Sequence, residues 1–74
     1  MREKIKELLE KNYPEIDFEG SEELVDDGIL TSLMVVNIIS LLTVEFGVMI
    51  PYEEIIPENF NSVDGIAELI EKLS

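Results

Sequence analysis

Few side chains in this sequence could enter a covalent reaction. There are five serines (Ser21, Ser32, Ser40, Ser62 and Ser74), no cysteine and no histidine. That removes thiolate nucleophiles, imidazole general bases, disulfides and the usual zinc ligand sets. No nucleophile–base pair can be assembled, so the sequence does not read as an enzyme. Ser32 stands apart from the other serines. It lies in "DDGILTSLMVVNII", residues 26 to 39, where a charged, glycine-containing turn gives way to an apolar helix. A serine there either caps the helix or offers its hydroxyl for chemistry. Ser21 and Ser62 read as caps, Ser40 falls within a helix and Ser74 is terminal.

The carboxylates suggest no catalytic site. Asp26-Asp27 and Glu53-Glu54 are adjacent pairs without separate acid and base environments. The run "DFEGSEELVDD" lacks the alternating ligands and closing glutamate of a calcium loop, so it reads as a solvated acidic loop. The 17 acids outweigh the 5 bases, for a net charge of −12. This argues against nucleic acid and anionic membrane surfaces, and favours partners with basic patches. Ten of the acids lie in residues 1 to 27, whereas Glu45 is the one charge between residues 28 and 52.

The elements that must position Ser32 follow from periodicity. Residues 2 to 12 read as a first helix, with Ile5, Leu8 and Leu9 on one face and Tyr13 continuing it. Tyr13-Pro14 ends it, because a residue before proline avoids the helical region. A long acidic connection follows, pinned to the core by Ile16, Phe18, Leu24 and Val25. The second helix is expected from Ser32 to Phe46, with Gly47 as its stop. Val35, Ile38, Ile39, Leu42 and Phe46 form its core side. Leu33, Val36, Asn37, Ser40 and Val44 fall opposite, and a domain this small cannot readily bury both sides. Pro51 opens a short helical turn over Tyr52 to Ile56, and Pro57 closes it. Asn61 or Ser62 caps the last helix, with Asp64 in its first turn and Val63, Ile66, Ala67, Ile70 and Leu73 as its buried stripe. The fold class is therefore all-α. The expected architecture is a small four-helix bundle of three main helices and one short helix, spanning residues 1 to 74 as one domain.

No segment reads as a signal peptide, and the apolar region Leu33 to Phe46 is too short to span a bilayer. The expectation is a cytoplasmic monomer without membrane insertion.

This pattern resembles the acyl carrier protein family, including its D-alanyl carrier-like and other stand-alone members. Four features carry the resemblance, which covers almost the whole chain. One is the pinned acidic loop ending "LVDDGILTS". Another is Ser32 followed by Leu33, similar to the family's Asp-Ser-Leu attachment motif. A third is "EFGVMIP", with Glu45, Phe46, Ile50 and Pro51 at the family's Glu-Phe-x-x-x-Ile-Pro spacing. The fourth is "NSVDGIAELI", similar to the family's last helix. The resemblance implies a 4'-phosphopantetheine arm, donated by coenzyme A and attached to Ser32 by a phosphopantetheinyl transferase. It implies an acyl or aminoacyl cargo held as a thioester, a ligase that loads it and acyl-transfer enzymes that receive it. A phosphate at a helix N-terminus would meet free N–H groups and the positive end of the helix dipole.

Two departures from the family pattern bear on partners. Thr31 stands where the family has aspartate before the serine, keeping a capping side chain but bringing no charge. The second helix also carries Met34, Asn37, Thr43 and Val44 at exposed positions where many fatty-acid carriers carry acids. The expected partner-binding residues are Thr31, Leu33, Met34, Val36, Asn37 and Ser40, forming a face that docks with little dependence on salt. The alternative reading is an unmodified, carrier-like helical interaction module. An unrelated acidic helical adaptor is the third.

Overall fold

The computed structural model describes all 74 residues, Met1 to Ser74. Its regular secondary structure is all helical, with no strand. Helix α1 spans Arg2–Asn12 and α2 spans Ser32–Phe46. A 3-10 turn at Tyr52–Glu54 leads into the short α3, Pro57–Phe60, and α4 spans Val63–Leu73. The all-α bundle expected from the sequence is the one observed. Helix α1 packs against α4 and α2, and α3 packs against α4.

The core has sixteen residues, every one hydrophobic. Ile5 and Leu9 enter from α1; Val35, Ile38 and Leu42 from α2; Val63, Ile66, Ala67, Leu69 and Ile70 from α4. The loop contributes Phe18, Leu24 and Leu30, so the acidic connection is pinned from inside. Leu8, Tyr13, Ile16, Val25, Ile39, Phe46 and Leu73 pack against this core while partly exposed. The molecule is 19 Å through its shortest axis. That is room for about two helix diameters of 10–12 Å, so no layer is left to cover the second side of α2.

The punctuation of α2 works as its residues require. Gly47 adopts φ +66° at its C-cap and donates its N–H to the Thr43 carbonyl, in a left-handed conformation that costs an L-residue a steric penalty. Around Pro57 the structure differs from expectation. The short turn ends at Glu54, not Ile56, and Pro57 opens α3 instead of closing a helix. Ile56 precedes a proline and is extended (φ −128°, ψ 154°), while Pro57 takes a first-turn position where its missing N–H costs nothing. Ser62 caps α4 by accepting from the Gly65 N–H at 3.0 Å. Asn61, the other candidate for that cap, bonds elsewhere. Ser21 accepts weakly from the Glu23 N–H at 3.4 Å and heads no helix.

The few cations tie the ends of the bundle together. Arg2 at the start of α1 pairs with Glu19 of the loop at 3.1 and 3.2 Å, and with Asp64 at the start of α4. The Glu19 hydrogen bonds, then those of Asp64, push the Arg2 guanidinium above its usual range. Arg2 in turn holds the Glu19 carboxyl below its usual range. Lys72 of α4 reaches Glu54 at 2.8 Å and lowers that carboxyl too.

Candidate functional site around Ser32

Thr31, not Ser32, is the N-cap of α2. It is extended (φ −78°, ψ 169°), and its Oγ1 accepts from the Met34 N–H at 3.3 Å. Its carbonyl takes the Val35 N–H at 3.0 Å. Ser32 is the first helical residue and is exposed. No hydrogen bond within the chain engages its hydroxyl, or the N–H groups of Ser32 and Leu33. Two orphan donors and the positive end of a fifteen-residue helix therefore lie beside a free hydroxyl. The first turn of α2 carries no acid to compensate them. These features fit a phosphodiester on Ser32: the oxygen is accessible, it is not consumed by capping, and two free N–H groups of the helix terminus lie beside it.

The turn that delivers the chain to Thr31 is built locally. Asp27 donates its N–H to the Glu23 carbonyl at 2.7 Å and Gly28 donates to Val25 at 3.0 Å. Gly28 then reverses the chain at φ +75°. Leu30 turns back into the core and donates its N–H to the Leu24 carbonyl at 2.9 Å.

An open groove of about 430 Å³ runs beside Ser32. Val25, Leu30, Val35 and Val36 line it from the turn and α2. Ile55, Ile56, Pro57 and Phe60 line it from the segment around α3. Ile55 and Ile56 are apolar yet partly exposed, and sequence patterning did not single them out. Their signal was an adjacent isoleucine pair directly before a proline.

The other expected site residues fall as follows. Leu33 is 82% exposed and Val36 58% exposed, with Asn37 and Ser40 exposed farther along the same face. Val44 at 85% extends the stripe toward the end of α2. Met34 and Thr43, expected to be exposed, are half-buried, and Met34 packs against the core. Met34 lies one turn before the buried Ile38 (i, i+4), at the flank of the core side, and its flexible side chain reaches the apolar residues there. Asn37 has an internal partner, donating Nδ2–H to the Tyr13 hydroxyl at 2.6 Å across to the end of α1.

No group of histidine, cysteine and carboxylate side chains is arranged to hold a metal ion, and no helix is long and apolar enough to cross a membrane. No family model matches the chain, and no solved structure gives a significant match. Two curated proteins of Bradyrhizobium diazoefficiens do match. Aminoacyl carrier protein 1 is 39% identical over 66 residues, covering 89% of this chain and 72% of the relative. Aminoacyl carrier protein 2 is 33% identical over 66 residues, covering 89% and 73%.

Proposed function

The chain belongs to the acyl carrier protein family, a carrier and not an enzyme, and on that premise we propose that Ser32 is the attachment point of a 4'-phosphopantetheine arm carrying an aminoacyl cargo. The observation that carries this reading is the division of labour at the start of α2. Thr31 makes the cap, so the neighbouring Ser32 hydroxyl is exposed and unbonded. When bound, the arm supplies the thiol that this cysteine-free chain lacks.

The chain's own residues supply position and recognition. The N–H groups of Ser32 and Leu33 stabilise a phosphate at the helix terminus, where each such charge–dipole contact is worth about 0.3–1 kcal/mol. Leu33, Val36 and Ser40 give partner enzymes a face to read. That face has no charge before Glu45, so apolar contact and shape dominate docking, and the acidic first 27 residues act at longer range. The partners are a phosphopantetheinyl transferase, a ligase that loads an amino acid and an enzyme that takes it off. The relatives' names support an amino acid as cargo over a fatty acyl chain.

Incubation with coenzyme A, magnesium and a broad-specificity transferase tests the reading. The expected result is an intact-mass gain of one phosphopantetheine, absent in Ser32→Ala. No gain with several transferases, including one from the source organism, would favour the unmodified interaction module.

A further inference from the structure

We propose that Asn61 is a positioning residue: it latches the turn that presents Ser32 to the segment carrying α3, and so sets how the serine meets its partner enzymes. This rests on Ser32 being the attachment site. Asn61 lies between α3 and α4 but faces the loop before α2. Its backbone carbonyl accepts the Leu24 N–H at 2.9 Å. Its Oδ1 accepts the Val25 N–H at 2.9 Å and the Asp26 N–H at 3.0 Å. Its Nδ2–H donates to Asp26 Oδ2 at 3.0 Å. One residue thereby holds three consecutive residues of a segment distant in sequence. The Leu30 N–H to Leu24 carbonyl bond closes that segment into a ring, two residues before Ser32.

The latch spans the groove. Val25 and Leu30 line it on the turn side, and Phe60, adjacent to Asn61, lines it on the α3 side. The Asn61 bonds are thus the polar link between the two walls. Elsewhere along residues 13–31 the ties to other elements are chiefly the exposed Arg2–Glu19 pair and apolar side chains such as Phe18, which fix depth in the core but not the angle of the turn before Ser32. Paired hydrogen bonds from a planar amide supply that angle. Without them the turn samples several orientations, and only a fraction presents Ser32 productively. A binding-competent fraction below one raises the apparent dissociation constant in proportion. The signature of a lost latch is therefore a raised KM for the carrier with kcat largely retained.

The test uses the full chain with three variants: Asn61→Ala, Asn61→Asp, and Asn61→Asp combined with Asp26→Asn. In Asn61→Ala, amide exchange at Val25 and Asp26 should accelerate roughly tenfold or more, while amides within α1 and α4 change far less. The KM for phosphopantetheine transfer should rise about fivefold to tenfold at near-constant kcat. Asn61→Asp keeps the acceptor but sets a carboxylate against Asp26, and should behave like Asn61→Ala. Adding Asp26→Asn exchanges donor and acceptor, and should restore both slow exchange and low KM. Uniform acceleration across all helices, or no rescue by the exchanged pair, would overturn the latch. So would unchanged exchange and KM in Asn61→Ala. Should Asn61→Ala not fold, the exchanged pair decides between the two outcomes. If the wild-type chain accepts no arm, the attachment reading fails, and the latch stands or falls on the exchange pattern alone.

Discussion

Capping and attachment are assigned to adjacent residues, and substitution separates them. Thr31→Ala removes the side-chain acceptor of the Met34 N–H. N-cap deletions cost about 0.5–2 kcal/mol. The bond here is 3.3 Å long, just beyond the usual range of about 2.7–3.2 Å, which places the cost in the lower part of the N-cap range, about 0.5–1 kcal/mol. In a domain of this size 1 kcal/mol moves Tm by roughly 4–8 °C, so Thr31→Ala should melt about 2–8 °C lower. Ser32→Ala removes a hydroxyl with no partner in the chain and installs a better helix former, so Tm should hold within about 2 °C or rise slightly. Modification should show the opposite order. Ser32→Ala should accept no phosphopantetheine, whereas Thr31→Ala should still accept it, slowed by fraying of the first turn. Thermal melts followed by circular dichroism, with intact mass after transferase treatment, read both quantities. A Tm loss in Ser32→Ala equal to that of Thr31→Ala would refute the cap assignment. Modification surviving in Ser32→Ala would refute the attachment assignment.

Further outcomes follow from the same geometry. Gly47→Ala, at φ +66°, should cost about 1 kcal/mol and lower Tm by roughly 4–8 °C; an unchanged melt would mean that α2 ends differently. Glu54 is held below the ordinary glutamate value of 4.5, first by its hydrogen bond to Lys72. Its folded pKa is depressed, so its contribution is complete above the unfolded value of 4.5 and is lost as pH falls from there through the folded pKa. A small stability advantage of wild type over Glu54→Gln at neutral pH should therefore vanish in acid and shrink with salt, as urea melts across pH would read; an advantage that grew in acid would reverse the sign. Val36→Asp should leave the melt within about 0.5 kcal/mol of wild type, because the side chain is exposed. It should weaken affinity for the loading ligase roughly tenfold, with little salt dependence in either protein. Strong salt dependence with tolerance of the aspartate would place docking on the acidic loop instead.

Local rules made α1, α2 and the start of α4 readable. Apolar spacing marked their faces, and Pro14, Gly47 and Ser62 marked their ends. The position of Ser32 was readable for the same reason, since a turn meeting an apolar helix leaves few places for an exposed hydroxyl. Pro57 was misread because proline both stops one helix and starts another, and only the extended Ile56 before it decides. Ile55 and Ile56 escape periodicity because they lie outside the long helices, and their place as a partly exposed groove wall follows from where the α3 segment packs. Asn61 looked like a cap by residue type. Its bonds to Leu24, Val25 and Asp26 join segments far apart in the sequence, so no nearby sequence foretells them. The Asn37–Tyr13 bond is tertiary in the same way. Met34 shows the limit of the helical wheel, since a long flexible side chain reaches the core from a flanking position.

The most direct measurement is fragmentation mass spectrometry of the protein isolated from its own cells. A phosphopantetheine on the peptide containing Ser32, a fraction of it bearing an amino acid released by hydroxylamine, is the expected result. A fully unmodified Ser32, or an arm located on another residue, would contradict the account.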